Sequence, residues 1–242
     1  MRFTDKVAVV TAFANGIGRA TAEIMAQEGA TVVGVDNHRD RLESSVSALR
    51  DTGGRAHGRL CDALDQGQVD AAVASVEQEF GAVDILVNAV GGSTIIANSS
   101  ANVDELTFEE WQRLIAFNLS GTFLFTHAVV PIMKRRRQGK IVNLASIAGR
   151  GLSASSSSAY AAAKGGIIAF TRKLAFELGP YGVTINAIAP SLTLTERIRP
   201  HWDKRTADAQ AAEIARTRCA ASPRPQTRPR SSAFSHPATP IL

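Results

Sequence analysis

The sequence predicts an α/β fold: one doubly wound parallel sheet flanked by helices, spanning residues 1–215. Three observations predict it. Val7-Ala8-Val9-Val10 and Thr31-Val32-Val33-Gly34-Val35 are short, β-branched and apolar throughout, as strands buried on both faces are. Each is followed by a segment of helical periodicity, and the alternation continues along the chain, as right-handed crossovers in a parallel sheet require. The first strand also runs through a glycine-bearing turn straight into a helix.

That turn, Thr11-Ala12-Phe13-Ala14-Asn15-Gly16-Ile17-Gly18, leads into a helix over residues 19–28 that stops at Gly29. Unpaired N–H groups and the helix dipole there make a cradle for a pyrophosphate. The second strand ends in Asp36, placed to bond both ribose hydroxyls of an adenosine and to repel a 2′-phosphate, which favours NAD over NADP. The other reading of Asp36 is a loop acid capping the next helix, residues 39–51. Arg59-Leu60-Cys61-Asp62 suggests a third strand with an acid at its end, followed by a helix over 68–80. Residues 84–92 form a fourth buried strand that runs through Asn88 and Ala89 into a small-residue turn.

Thr107-Phe108-Glu109-Glu110 reads as a capping box, with Leu106 and Trp111 as its hydrophobic staple, opening a helix to about residue 134. Asn118 and Ser120-Gly121 interrupt it, and a polar Asn on an apolar face needs a partner or a task. Lys134-Arg135-Arg136-Arg137 reads as a solvated helix end that complements the dipole rather than a nucleic-acid patch. Residues 140–145 form the fifth strand, which delivers Ser146 to the carboxyl edge of the sheet, where such folds bind ligands. A helix over 159–178 carries Tyr160 and Lys164 one turn apart on one face. The sixth strand, 183–189, ends at Pro190.

A free phenol with a pKa of about 10 is a poor base, but a neighbouring ammonium favours the phenolate. Tyr160 tuned by Lys164 would serve as a proton donor and acceptor. Ser153, Ser155, Ser156, Ser157 and Ser158 compete with Ser146 for a hydroxyl role; Ser146 is preferred because it ends a strand, whereas the others read as a solvated loop.

The composition, 242 residues and 45% hydrophobic, suits one well-cored domain. No run of 18 apolar residues and no signal-peptide core is evident, so a cytoplasmic protein without a membrane span is expected. Cys61 and Cys219 suggest neither a disulfide framework nor a metal site. The net charge of +5 rests on five arginines beyond residue 213, where no acid occurs; the preceding chain balances 22 basic against 22 acidic residues, so no nucleic-acid partner is expected.

Taken together, TAFANGIG, Asp36, Asp62, NAVG, Asn118, Ser146, YAAAK and INAIAPS resemble the short-chain dehydrogenase/reductase family over about residues 4–215. The resemblance implies a Rossmann-type fold and assigns catalytic roles to Asn118, Ser146, Tyr160 and Lys164. Tyr160 would be the general acid/base, and Lys164 would lower its pKa and hold the nicotinamide ribose. Ser146 would polarise the substrate oxygen, and Asn118 would distort its helix and hold a water linking Lys164 to solvent. Thr11, Asn15, Gly16, Ile17 and Gly18 would meet the cofactor at the pyrophosphate end. Asp62 would meet the adenine, Ala89 the cofactor, Asn88 the sheet or the cofactor ribose, and Ile188 and Thr193 the nicotinamide region.

The implied function is hydride transfer between NAD(H) and a secondary alcohol or ketone, with a thin similarity to cis-dihydrodiol dehydrogenases of aromatic catabolism suggesting a cyclic diol. A 3-oxoacyl-thioester reductase and a non-catalytic dinucleotide-binding scaffold are the alternatives. Ala12 and Ser191 stand where the family usually has glycine. From about Thr217 the chain is rich in Pro and Arg where the family has a further helix, a last strand and a segment of its tetramer interface. A disordered tail over 216–242, introduced by a shift of reading frame, is therefore expected; it removes the last strand and puts the family's homotetramer in doubt.

Overall fold

The structure is a computed structural model that describes residues 1–153 and 155–216. Six parallel strands, β1 (Val7–Thr11), β2 (Thr31–Asp36), β3 (Arg55–Leu60), β4 (Ile85–Asn88), β5 (Gly139–Leu144) and β6 (Val183–Ile188), form one sheet in the order β3-β2-β1-β4-β5-β6. The order reverses beside β1, so the turns after β1 and β4 part and leave a crevice at the carboxyl edge. Val9 sits opposite both Val33 and Leu86, in the middle of the sheet.

Helices α1 (Gly16–Gln27) and α2 (Arg39–Asp51) cover one face, where Met25, Leu42, Val46 and Leu49 pack with Val10 and Val32. Helix α3 (Gln66–Phe80) and α5 (Gly121–Arg136) cover the other, where Val69, Val73, Phe125 and Met133 pack on Val9, Leu86 and Ile141. Two apolar layers explain why the central strands carry no polar alternation; each fully buried Val or Leu contributes about 1.5–3 kcal/mol. Phe13, from the glycine-bearing turn, is wholly buried in the first layer against Gly34, where a Cβ would strike its ring.

Helix α4 (Phe108–Ile115) begins with the expected capping box: Glu110 N donates to Thr107 Oγ1 and Thr107 N donates to Glu110 Oε2, at 3.1 and 3.0 Å. The single helix expected to reach residue 134 is divided by a π-helical turn, Ala116–Ser120, before α5. The whole stretch Phe108–Arg136 is long and apolar enough by composition to cross a membrane. Here Leu114, Phe125, Val129, Ile132 and Met133 are buried in the interior, so it is a core helix. Helix α6 (Ser158–Leu178) follows β5, and α7 (Arg199–Asp203) and α8 (Ala207–Arg216) follow β6.

The third strand differs from expectation. It occupies Arg55–Leu60 rather than 59–62, in register with Thr31–Asp36, and leaves Asp62 in the turn that follows. It is the edge strand, so its polar sequence RAHGRL needs no apolar run, and that hid it. Helices α1 and α3 begin at Gly16 and Gln66, earlier than their apolar periodicity suggests, because their first turns are the polar cap segments. Among the described residues the sheet ends at β6. The tail expected over 216–242 falls, from residue 217 on, outside the described residues.

Candidate active site

Thr11 ends β1 as a clamp at the rim of the crevice. Its Oγ1 accepts from Ala89 N at 2.9 Å and Val90 N at 3.2 Å, tying the turn after β4 to the turn after β1. Ala12 then adopts φ +49, the left-handed region that costs an L residue about 1–2 kcal/mol. The carbonyl it presents lies so close to Gly18 that a Cβ there would be driven into it. Gly16, at φ +60, opens α1 and presents its N–H to the crevice. On the far side, the Asp36 carboxylate accepts from Ala14 N at 3.0 Å and His38 N at 3.1 Å, which fixes it at the tip of β2. Asp36 thus organises its loop and faces the crevice at once; the cap position of α2 belongs to His38.

At the other end, Ser146 follows β5 and caps the short 3₁₀ turn Ile147–Arg150, its Oγ accepting from Ala148 N at 3.2 Å. Gly149 in that turn lies directly against the Lys164 and Gly165 backbone, leaving no room for a Cβ. This close approach brings Ser146 within hydrogen-bonding reach of Tyr160 on α6. Ser157 caps α6, accepting from Tyr160 N at 3.4 Å, and is 1% exposed. The expectation of a solvated loop therefore fails for Ser157, which the helix start recruits.

Lys164 is 3% exposed; its Nζ donates to Leu144 O at 2.8 Å and lies 5.8 Å from the Tyr160 ring centre. Burial, helped by Arg197, pushes its pKa down to about 7. For Tyr160, burial pushes the pKa above the ordinary phenol value, while the bond to Ser146 and the charge of Arg197 pull it down. Arg197 thus adds a second cation near the phenol, beside the buried Lys164.

Asn118 is fully buried in the π-helical turn. Its Oδ1 accepts from Gly92 N at 2.8 Å, and its Nδ2 donates to Gly92 O and Leu114 O at 3.1 and 3.0 Å. These bonds clamp the turn after β4, with Gly91 wedged between Asn118 and Lys164.

One cleft of about 650 Å³, within the usual range for ligand sites, is lined by Thr11, Asn15, Gly16, Ile17, Gly18, Asp36, Asp62, Ala89, Ser146, Tyr160, Lys164 and Thr193. Three expected residues stand outside its lining. Asn88 turns into the sheet, its Nδ2 donating to Thr126 Oγ1 and Asn143 Oδ1 at 3.0 and 2.9 Å. Ile188 packs on the core layer of α1 and α2, because its position in β6 faces that layer. Asn118 lies behind the wall, as described. The sequence reading missed Thr195, Glu196 and Arg197, which enter from the segment after β6; nothing local in their spelling marks them. Among the described residues no His, Cys, Asp and Glu cluster is arranged to hold a metal ion.

A doubly wound sheet with a glycine-turn cradle at one end of its crevice and a Ser-Tyr-Lys cluster at the other defines a dinucleotide-dependent oxidoreductase. A family model described as short chain dehydrogenase matches residues 6–206, and the chain belongs to that family. The short-chain reductase protein NovJ of Streptomyces niveus is 42% identical over 194 residues, 80% of this chain and 71% of that protein. The crystal structure of NAD+-bound xylitol dehydrogenase superimposes with a TM-score of 0.87 at 28% identity, covering 97% of this chain and 93% of that one. A crystal structure of a variant actinorhodin polyketide ketoreductase with NADPH gives 0.86 at 31% identity, covering 96% and 90%.

Proposed function

We propose that the protein transfers a hydride between NAD(H) and a secondary alcohol or ketone, with Tyr160 as general acid/base. The observation that carries this reading is the meeting of Ser146 and Tyr160 over buried Lys164 at the carboxyl edge of β5. The residues present fit a nicotinamide dinucleotide: the cradle leaves no space for a Cβ at Gly18, and the Gly16 N–H at the start of α1 already binds a carboxylate oxygen. When bound, the nicotinamide supplies or takes up the hydride.

The chain's own residues handle the proton. The Tyr160 hydroxyl gives it to the substrate oxygen during reduction and takes it back during oxidation. Ser146 donates to the same oxygen and steadies the charge that develops there. Lys164, poised near neutrality, is placed to restore the phenol's proton, and its bond to Leu144 O fixes its reach. Asp36 supports NAD, since its fixed carboxylate would repel a 2′-phosphate. His38 and Arg41 line the same end and would partly offset that repulsion.

We extend the reading to a polyol or cyclic diol as substrate, supported by the likeness to xylitol dehydrogenase, and to a homo-oligomer of cytoplasmic enzyme. The intact cluster argues against a non-catalytic scaffold, and Asp36 against an NADPH-dependent thioester reductase. The test is Tyr160→Phe, assayed with NAD and NADP side by side over cyclic diols, polyols and 3-hydroxyacyl thioesters. Turnover should fall by about 10²–10⁴-fold with dinucleotide affinity unchanged, and NAD should be preferred. Retained turnover removes Tyr160 from its role, and a preference for NADP removes Asp36 from its own.

A further inference from the structure

Residues 193–197 lie across the crevice rather than beside it. Glu196 Oε2 accepts from Gly16 N at 2.9 Å, so a carboxylate of the chain itself occupies the N–H that opens α1. Thr195 packs its side chain against Gly16. The next residue, Arg197, reaches the opposite wall, where Nη2 donates to Gly91 O at 2.9 Å and the guanidinium covers Gly92. A negative group therefore sits at the pyrophosphate cradle and a positive one at the Tyr160 end. That is the charge order of an oxidised nicotinamide dinucleotide laid along the same cleft. Gly16 N–H cannot serve the Glu196 carboxylate and a phosphate together, so one displaces the other.

We propose that Glu196 and Arg197 form a strap that competes with the cofactor for its own cleft and thereby sets cofactor affinity. This rests on the reading of the cleft as a dinucleotide site. Glu196 withholds the cradle, Arg197 holds the strap shut against Gly91, and binding requires the segment to lift. Glu196 and Arg197 are solvent-exposed, whereas Thr193 and Leu194 just before them are buried, so the strap swings on an anchored base. Affinity in such an arrangement is reduced by the fraction of molecules with the strap closed.

The experiment titrates NADH and NADPH separately into full-length wild type, Glu196→Ala, Glu196→Gln and Arg197→Ala, followed by nicotinamide fluorescence and stopped-flow. Glu196→Ala should tighten Kd by about tenfold, the worth of one charge-assisted hydrogen bond given up on opening, chiefly through faster association. Glu196→Gln should give a smaller gain in the same direction. Arg197→Ala should tighten binding as well. Hydrogen exchange of the Gly16 amide in cofactor-free protein should be faster in Glu196→Ala than in wild type. A measurable Kd that is equal or weaker in the Glu196 variants, or unaltered Gly16 exchange, overturns the strap and leaves the cofactor reading standing. Failure of wild type and variants alike to bind either dinucleotide overturns the cofactor reading and the competition with it.

Discussion

Ala12 holds a left-handed backbone at the one point where the turn must fold back over Gly18. Glycine adopts that φ without strain, so Ala12→Gly should stabilise the fold by about 0.5–1 kcal/mol. In a domain of this size that raises Tm by about 2–4 °C, readable by calorimetry. Lys164 makes a second prediction at this scale. Its pKa falls from 10.5 in the open chain to about 7 in the fold, so between those values the unfolded chain binds the extra proton. Stability from this group is fully present above 10.5 and lost as pH falls through about 7. The Tm of wild type relative to Lys164→Met should therefore climb from pH 7 to pH 9.5; a flat difference would mean the ammonium is not desolvated. Tyr160 titrates above this window, since burial raises it, and leaves the comparison clean.

Among the elements, the π-helical turn Ala116–Ser120 is the one whose irregularity has a structural use. It turns Asn118 inward against Gly92, joining the long helix to the turn after β4. Asn118→Leu would leave Gly92 N, Gly92 O and Leu114 O without this partner, at a cost of about 3 kcal/mol in urea unfolding. Dinucleotide affinity should fall alongside, because the Gly91-Gly92 wall of the cleft would loosen. The break in this helix was legible in Asn118, Ser120 and Gly121, since a polar residue on an apolar face demands a partner. Its π character was not, because the bulge is set by where Gly92 lies across the fold. The edge strand β3 shows the converse: with one paired side and little burial, Arg55–Leu60 carries no periodic signature, and only its register with β2 defines it.

For the molecule as a whole, the exposed face of α5 and α6 carries Phe123, stacked on His127 and tilted against Phe170, and Phe176 is 83% exposed. Apolar rings left in water on two adjacent long helices suit a partner surface. Sedimentation should show wild type as a homo-oligomer that Phe123→Asp shifts toward monomer; a monomeric wild type would assign these rings no interface. The free outer edge of β6, seen among the described residues, adds a second place for association.

The order of strands and helices, the cradle at Gly16, Asp36 and the Ser146-Tyr160-Lys164 set were written in the sequence itself, because burial period, turn chemistry and one-turn spacing are local properties of a chain. The tertiary structure alone decided that Asn88 and Ile188 face away from the cleft, that Asn118 acts through Gly92, and that Glu196 and Arg197 return into the site. Those are pairings between residues 26 to 180 positions apart, and their partners are fixed by how the finished layers pack rather than by any neighbour in the chain.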